Sequence, residues 1–246
     1  METVNVDGFE LPINYSQYPR KVYKNNVTYY AKFSCSNEIR VLRDLATSKM
    51  KNSVPHIILE TDMKRGDDTL IIINYIDGCN LARYSWYPQP VQLEIANKLL
   101  KLVSDFHQLG FIHGDVHSDN VMVSDGKLYL IDFDYSSRNG EQESWQLLYP
   151  SPEMEEFPQL LSATPSKEHD LWCTGVALYH VFHKMIPNTP TYWTMSNSVA
   201  GTTKFGGIVI SPTLPNCVQD LLRSLLNEDP QKRKITFLEL PGKTEV

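Results

Sequence analysis

The chain has 246 residues, 41% of them hydrophobic and 11% aromatic, with a formal charge of −6 and a pI near 5.6. That length fills one large domain or two lobes sharing a cleft, and the acidic balance excludes a global basic field that would gather nucleic acid or an anionic membrane. No apolar run approaches the ~20 residues of a membrane span, and the start METVNVDGFE does not read as a signal peptide.

Residues 1–80 read as β-rich with one helix. VTYYAKF (27–33) has strand composition, and EIRVLRDLA (38–46) sets Ile39, Leu42 and Leu45 at helical spacing with Ser36 or Asn37 as the cap. HIILETD (56–62) and TLIIINYI (69–76) follow as strands joined by a polar turn from Met63 to Asp68, and Asp77-Gly78 ends the second. VQLEIANKLLKLVSDFHQLG (91–110) is a long amphipathic helix closed by Gly110. VMVS-DG-KLYLI is a hairpin turning at Asp125-Gly126. An irregular stretch, 136–168, precedes an apolar helix at 170–185, and a Pro-, Ser- and Gly-rich segment (187–216) leads to a last helix, CVQDLLRSLLNED (217–229), capped by Asn216 and stopped by Pro230. The change of character near 76–82 predicts a small β-rich lobe, 1–78, and a larger helical lobe, 79–246. The four cysteines, Cys35, Cys79, Cys173 and Cys217, form no C-x-x-C pair, which favours a reducing, cytoplasmic setting over a structural zinc site.

The run from His113 to Tyr135 carries the chemistry. Counting outward from the turn pairs Ser124 with Lys127, Val121 with Leu130, Asn120 with Ile131 and Asp119 with Asp132. The open end of the hairpin then presents Asn120 and Asp132 one step apart, with Asp115 five residues upstream of Asn120. Oxygen-bearing side chains converging at a strand end suit Mg²⁺, a hard ion that takes carboxylate and amide oxygens alongside phosphate. The bland reading, that these are ordinary turn residues, fits each one singly but not the spacing D-x4-N-x11-D-F around a registered hairpin.

In this order the motifs resemble the eukaryotic-type protein kinase family over about residues 15–235. Asp115 and Asn120 match H-x-D-x-x-x-x-N, and Asp132-Phe133 the start of D-F-G. Tyr149 to Glu153 is similar to A-P-E, DLWCTGVALYHV to the D-x-W-x-x-G helix, and LLNEDPQKR to the terminal D-P-x-x-R, whose Arg233 would pair with Glu153. Lys32, in Tyr30-Ala31-Lys32, sits like the lysine of V-A-I-K, and Glu38 like the helix glutamate that holds it. Their six-residue gap is short for the family, yet six extended residues can span up to ~20 Å. The resemblance implies an α+β, bilobal fold and catalytic roles for Asp115, Lys32, Glu38, Asn120 and Asp132. It also implies Mg²⁺ on Asn120 and Asp132, and ATP against Arg20, Val22, Ala31, Lys32, Ile73 as gatekeeper, Asn74, Tyr75 and Ile76.

Four departures stand out. The three glycines of G-x-G-x-x-G-x-V, counted back from Val22, are absent from Tyr15 to Arg20, where Arg20 and Lys21 offer charge instead. The arginine of H-R-D is Gly114, so the usual receiver for a phosphate on Ser136, Ser137 or Ser144 is missing, which predicts constitutive activity or control by a partner protein. His117 replaces a lysine and is expected to carry less positive charge near neutral pH. Asp134 replaces the last glycine of D-F-G; its carboxylate is either a further metal neighbour or solvated, and solvation is the favoured expectation. Retention of Lys32, Asp115, Asn120 and Asp132 together favours an active Ser/Thr kinase acting on a protein. The alternatives are a pseudokinase serving as a binding module and a small-molecule kinase of the aminoglycoside-phosphotransferase type. The trimmed elements resemble viral or bacterial effector kinases, which act in a host cell.

Overall fold

The computed structural model describes residues 2–138, 149–154, 166–187 and 208–240. The chain opens with a hairpin, β1 (Thr3–Val6) and β2 (Phe9–Pro12), turning at Asp7-Gly8 with φ of 50° and 81°. Two successive left-handed residues make a type I′ turn, whose twist matches that of paired strands. β3 (Arg20–Lys24) and β4 (Val27–Ser34) are joined the same way at Asn25-Asn26, and β5 (Ile57–Arg65) meets β6 (Asp68–Asn74) across Gly66. These four strands form one antiparallel sheet in the order β3-β4-β6-β5.

Between β4 and β5 lies α1 (Ser36–Ala46), separated from β4 by Cys35 alone. The helix is capped by the Cys35 sulfur, which accepts from the Glu38 N–H at 3.4 Å, so neither Ser36 nor Asn37 is the cap. Its inward face, including Ile39, Val41, Leu42 and Leu45, packs under the sheet.

A short strand, β7 (Cys79–Asn80), follows Asp77-Gly78 and pairs not with the four-stranded sheet but with the later hairpin. The remainder is helical around small β pieces: α2 (Gln89–Gln108), β8 (Phe111–Ile112), β9 (Val121–Ser124), β10 (Lys127–Leu130), β11 (Ser137–Arg138), α3 (Lys167–His183) and α4 (Asn216–Leu225). The β9–β10 register is the one counted from Asp125-Gly126, with Ser124 opposite Lys127 and Val121 opposite Leu130. Asn216 is the first helical residue of α4 rather than its cap, since Pro215 precedes it, and the helix ends at Leu225, short of Pro230.

The apolar interior has two parts. The larger joins α1, α2, α3 and α4 to the inner face of the sheet. The smaller covers the outer face, where Phe9 and Leu11 of β2 meet Val22, Ala31, Phe33, Leu70 and Ile72. Each such side chain fully withdrawn from water contributes about 1.5–3 kcal/mol, so the β1–β2 hairpin is a structural lid on the sheet. Because strand side chains alternate between faces, the division between the two cores also decides which residues can reach the cleft.

α3 is buried nearly all round, and at Gly175 it lies directly against the end of α4. A Cβ there would come within 2.8 Å of Leu226 Cδ2 and 2.9 Å of Leu225 Cβ. Gly175→Ala should therefore destabilise by about 1–3 kcal/mol, as overpacking does. Thermal unfolding checks this, and an unchanged midpoint would show that α3 and α4 separate freely.

Candidate active site

The loop between β8 and β9 is fixed from beneath by Asp170, in the first turn of α3. Its fully buried carboxylate accepts the backbone N–H groups of His113 at 2.8 Å and Gly114 at 2.9 Å, and His107 Nε2 lies 2.8 Å away. Burial alone would raise its pKa, but these partners outweigh it and hold Asp170 below the usual carboxylate range. Gly114 has φ +80°, and a Cβ there would sit 2.5 Å from the Tyr135 carbonyl oxygen. An arginine at this position would be strained by the backbone before its side chain met anything.

On this loop the Asn120 amide nitrogen donates to both the backbone oxygen and Oδ2 of Asp115, each at 3.0 Å. The amide oxygen of Asn120 is thereby left for a ligand. His117 Nε2 lies 3.4 Å from Asp115 Oδ2. Burial pulls the His117 pKa down, but the hydrogen bond and charge of Asp115 more than reverse this, so the imidazole is raised and carries more positive charge than a free histidine.

After β10, Ile131 N–H still donates to Asn120 O at 3.1 Å, and then Asp132 turns left-handed at φ 64°. That turn sends Phe133 into the core beside His113 and Phe106, with centroids at 5.2 and 5.8 Å, while Asp132 faces the cleft. Lys32 Nζ meets Asp132 Oδ1 at 3.0 Å, Glu38 Oε2 at 2.8 Å and Glu38 Oε1 at 3.0 Å. Glu38 is buried and also accepts the Phe133 N–H at 3.2 Å. Burial disfavours the Lys32 charge, yet Glu38, Asp132 and Asp134 together raise its pKa well above that of a free lysine. The short gap closes because α1 starts almost at once after β4.

Asp134 is not solvated as expected. It is half-buried beside Glu38, its Oδ1 3.5 Å from Cys35 Sγ, and burial followed by the Glu38 charge pushes its carboxyl up to about 7. Ligand oxygens of Glu38, Asp132 and Asp134 lie within 4.8 Å of one another. Ser136 and Ser137 are buried, Ser136 donating to His113 O at 3.2 Å, so neither is open to modification; Ser144 lies outside the described residues.

A cavity of about 450 Å³ opens beside Lys32, within the range of small-molecule sites. Ile73, Asn74, Tyr75 and Ile76 line it, as expected. Val22 and Ala31 do not: both are buried in the outer core, because Val22 pairs with Tyr29 and Ala31 with Arg20 on the far face. The pair on the cleft face is Lys21 with Tyr30. Arg20 is likewise turned away and donates to Gln17 Oε1 at 3.0 Å. Asn74 has its N–H on His56 O at 3.1 Å and its Oδ1 accepting from His56 N–H at 2.5 Å. The glycine-free segment before β3 forms one tight turn at Tyr15–Gln17, and the Tyr15 and Tyr18 rings pack edge-on against Phe33 at 5.0 and 5.4 Å.

Farther down, Arg233 pairs with Glu153 through two contacts of 2.6 Å and stacks over Trp172 at 5.1 Å. Burial raises the Glu153 pKa, but the Arg233 hydrogen bond and charge reverse this and hold it low. Ser151 Oγ sits 3.0 Å from His169 Nδ1, so residues 149–154 are clasped to α3. Tyr30 is the cavity-lining residue that motif matching passed over, and period-two counting back from Lys32 points to it. Asp170 is matched within D-x-W-x-x-G, but the motif by itself assigns it no role at the loop.

This architecture is that of a bilobal kinase: the solved structure of PK-1, the kinase of Cydia pomonella granulovirus, matches with a TM-score of 0.67 at 17% identity, covering 90% of this chain and 88% of that one. Residues 20–240 match the protein kinase domain family, and the chain belongs to it. Among curated relatives, the serine/threonine-protein kinase ROP18 of Toxoplasma gondii is 30% identical over 180 residues, 72% of this chain and 31% of that protein. Ste20 of Emericella nidulans is 27% identical over 209 residues (80% and 23%), and ppk34 of Schizosaccharomyces pombe 28% over 196 (74% and 53%). The chain thus spans between a quarter and a half of these relatives' lengths. Among the described residues no helix is long and apolar enough to cross a membrane.

Because Asp170 is depressed in the folded state, its contribution is present above the ordinary carboxylate pKa and lost as pH falls below it. Asp170→Asn should cost about 3 kcal/mol at pH 7, with the gap to the parent narrowing below about pH 4. Urea unfolding at several pH values measures this; a gap independent of pH would remove charge as the cause.

Proposed function

We propose that the chain transfers the γ-phosphate of ATP, with Mg²⁺, to a Ser or Thr hydroxyl of a protein substrate in the cytoplasm, the nucleotide lying between lobe 1–78 and lobe 79–246. The observation that carries this is Lys32 held at 2.8–3.0 Å by Glu38 and Asp132, above an Asp115–Asn120 pair locked by hydrogen bonds. Phosphoryl transfer asks mainly for positioning and charge neutralisation, and this arrangement supplies both. Lys32, aimed by Glu38, holds phosphate as a point charge. Asp115 orients the acceptor hydroxyl and takes its proton.

The donor set fits a hard cation, since the Asn120 nitrogen is spent on Asp115, which leaves its oxygen, with the Asp132 carboxylate, as the oxygen ligands such an ion takes. When bound there, Mg²⁺ neutralises charge on the phosphate oxygens. Residues 149–154, clasped to α3 and to Arg233, support a peptide substrate rather than a small molecule.

Control by phosphorylation after Asp132 is not needed in this reading, because α1 is already tied to that segment. The Asn37 amide donates to the carbonyls of Asp134 at 3.3 Å and Ser136 at 2.5 Å, and Arg138 pairs with Asp44 at 2.7 Å. Any control would then fall to a partner protein. The glycine-free turn at Tyr15–Gln17 favours a second reading, a pseudokinase that binds without transferring phosphate.

Labelled ATP, Mg²⁺ and a generic protein substrate separate the two. The parent should transfer label at a rate unchanged by prior phosphatase treatment, and Asp115→Ala should lower it at least about 100-fold while nucleotide still raises the melting temperature. Transfer that survives Asp115→Ala would sink the assignment of the base; absence of transfer in the parent would favour the pseudokinase.

A further inference from the structure

Counting back from Lys32 along β4 puts Tyr30 on the cleft face, at the place where the V-A-I-K motif has its small alanine. Tyr30 belongs with the larger core and lines the cavity, while its neighbour Ala31 is buried on the opposite side. The ladder Lys21–Tyr30–Ile73 crosses β3, β4 and β6, and Tyr30 and Ile73 of it both line the cavity. The Tyr30 hydroxyl is within electrostatic reach of Lys32, Asp132 and Tyr75. The cavity lining that holds the ring also includes Lys32 and the stretch Asn74, Tyr75 and Ile76. Tyr75 is a second ring at this mouth, with Lys21 Nζ 4.2 Å over its face. The wall contributed by the hairpin is apolar, made by Met122 and Ile131.

We propose that Tyr30 is a stacking platform for the base of a purine nucleotide, and that this ring makes up for the binding lost with the glycines of the phosphate loop. The inference rests on the nucleotide reading given above and goes beyond it. The physical case has three parts. A flat heteroaromatic base stacks favourably on a phenol ring and tolerates a thioether and an aliphatic chain on its other side. The cavity of about 450 Å³ exists with the ring in place, so Tyr30 lines the space rather than filling it. At the phosphate end, Tyr15 of the tight turn and Tyr18 are committed to Phe33, and no glycine there lets the backbone come close to a phosphate.

The test compares dissociation constants of ATP and of base-free inorganic tripolyphosphate for the full chain and its Tyr30→Phe, Tyr30→Leu and Tyr30→Ala variants. Tyr30→Leu keeps bulk without a π face and guards against a merely unfolded Tyr30→Ala. ATP binding should stay within about twofold in Tyr30→Phe and weaken about tenfold in Tyr30→Leu and Tyr30→Ala, with tripolyphosphate binding unchanged throughout. ATP binding as tight or tighter in Tyr30→Leu and Tyr30→Ala would overturn the proposal, making the ring a bystander or an obstacle. Equal loss for tripolyphosphate would also overturn it, because a ring acting through the base cannot sense a ligand without one. A loss in Tyr30→Phe as large as in Tyr30→Ala would move the role to the hydroxyl and overturn stacking. A parent chain that binds neither ligand removes the nucleotide reading itself, an outcome distinct from the other three.

Discussion

The site depends on one buried carboxylate. Asp170 has no water to solvate it, so it must be met by donors, and the donors it takes are the backbone N–H groups of His113 and Gly114. This ties the loop to the most buried helix of the larger lobe. The candidate catalytic groups are then reached through a short series of links. Asp115 follows Gly114, Asn120 is bonded to Asp115, Ile131 is bonded to Asn120, and Asp132 reaches Lys32. A loop left to its own turn propensities would sample many shapes; bonded to α3 it has one.

Charge is arranged around Lys32 with the same economy. One cation faces Glu38, Asp132 and Asp134, more acid than it can neutralise, and burial together with that surplus pushes the Asp134 carboxyl up to about 7. When protonated, that carboxyl can donate to Glu38 instead of repelling it. The residue that replaces the D-F-G glycine has thus become part of the contact between α1 and the segment after Asp132, together with Cys35 and Asn37. Gly114 fits this picture. It leaves no side chain to read a phosphate, and its backbone lies against Tyr135 so closely that none could be accommodated.

Several features were legible because they are local. Asp125-Gly126 between two apolar runs predicts the β9–β10 register, which holds from Ser124–Lys127 to Val121–Leu130, while Asp132 leaves the ladder in its left-handed turn. The same signal at Asp7-Gly8 marks the β1–β2 hairpin, but its flanks, TVNV and FELP, are too polar for the strand pattern to stand out. The cap of α1 was misread for a related reason. Ser36 and Asn37 have the better capping side chains, yet β4 runs to Ser34, and the turn into the helix falls on Cys35. The motif points to Val22 and Ala31 for the nucleotide, whereas the alternation of β4 turns Ala31 away and sets Tyr30 against the cavity.

What the sequence determined alone is the order of elements, the hairpin register and the identity of the groups at its open end. These follow from backbone propensity and from side-chain periods of two and 3.6 residues, which act between neighbours in the chain. The tertiary structure decided which face of β4 meets the cleft, that Asp134 is drawn toward Glu38, and that His117 gains charge from Asp115. It also decided that Asp170 holds the loop carrying Asp115 and Asn120. Each of these depends on burial or on groups brought together from distant parts of the chain, and neither is set until the two cores have closed.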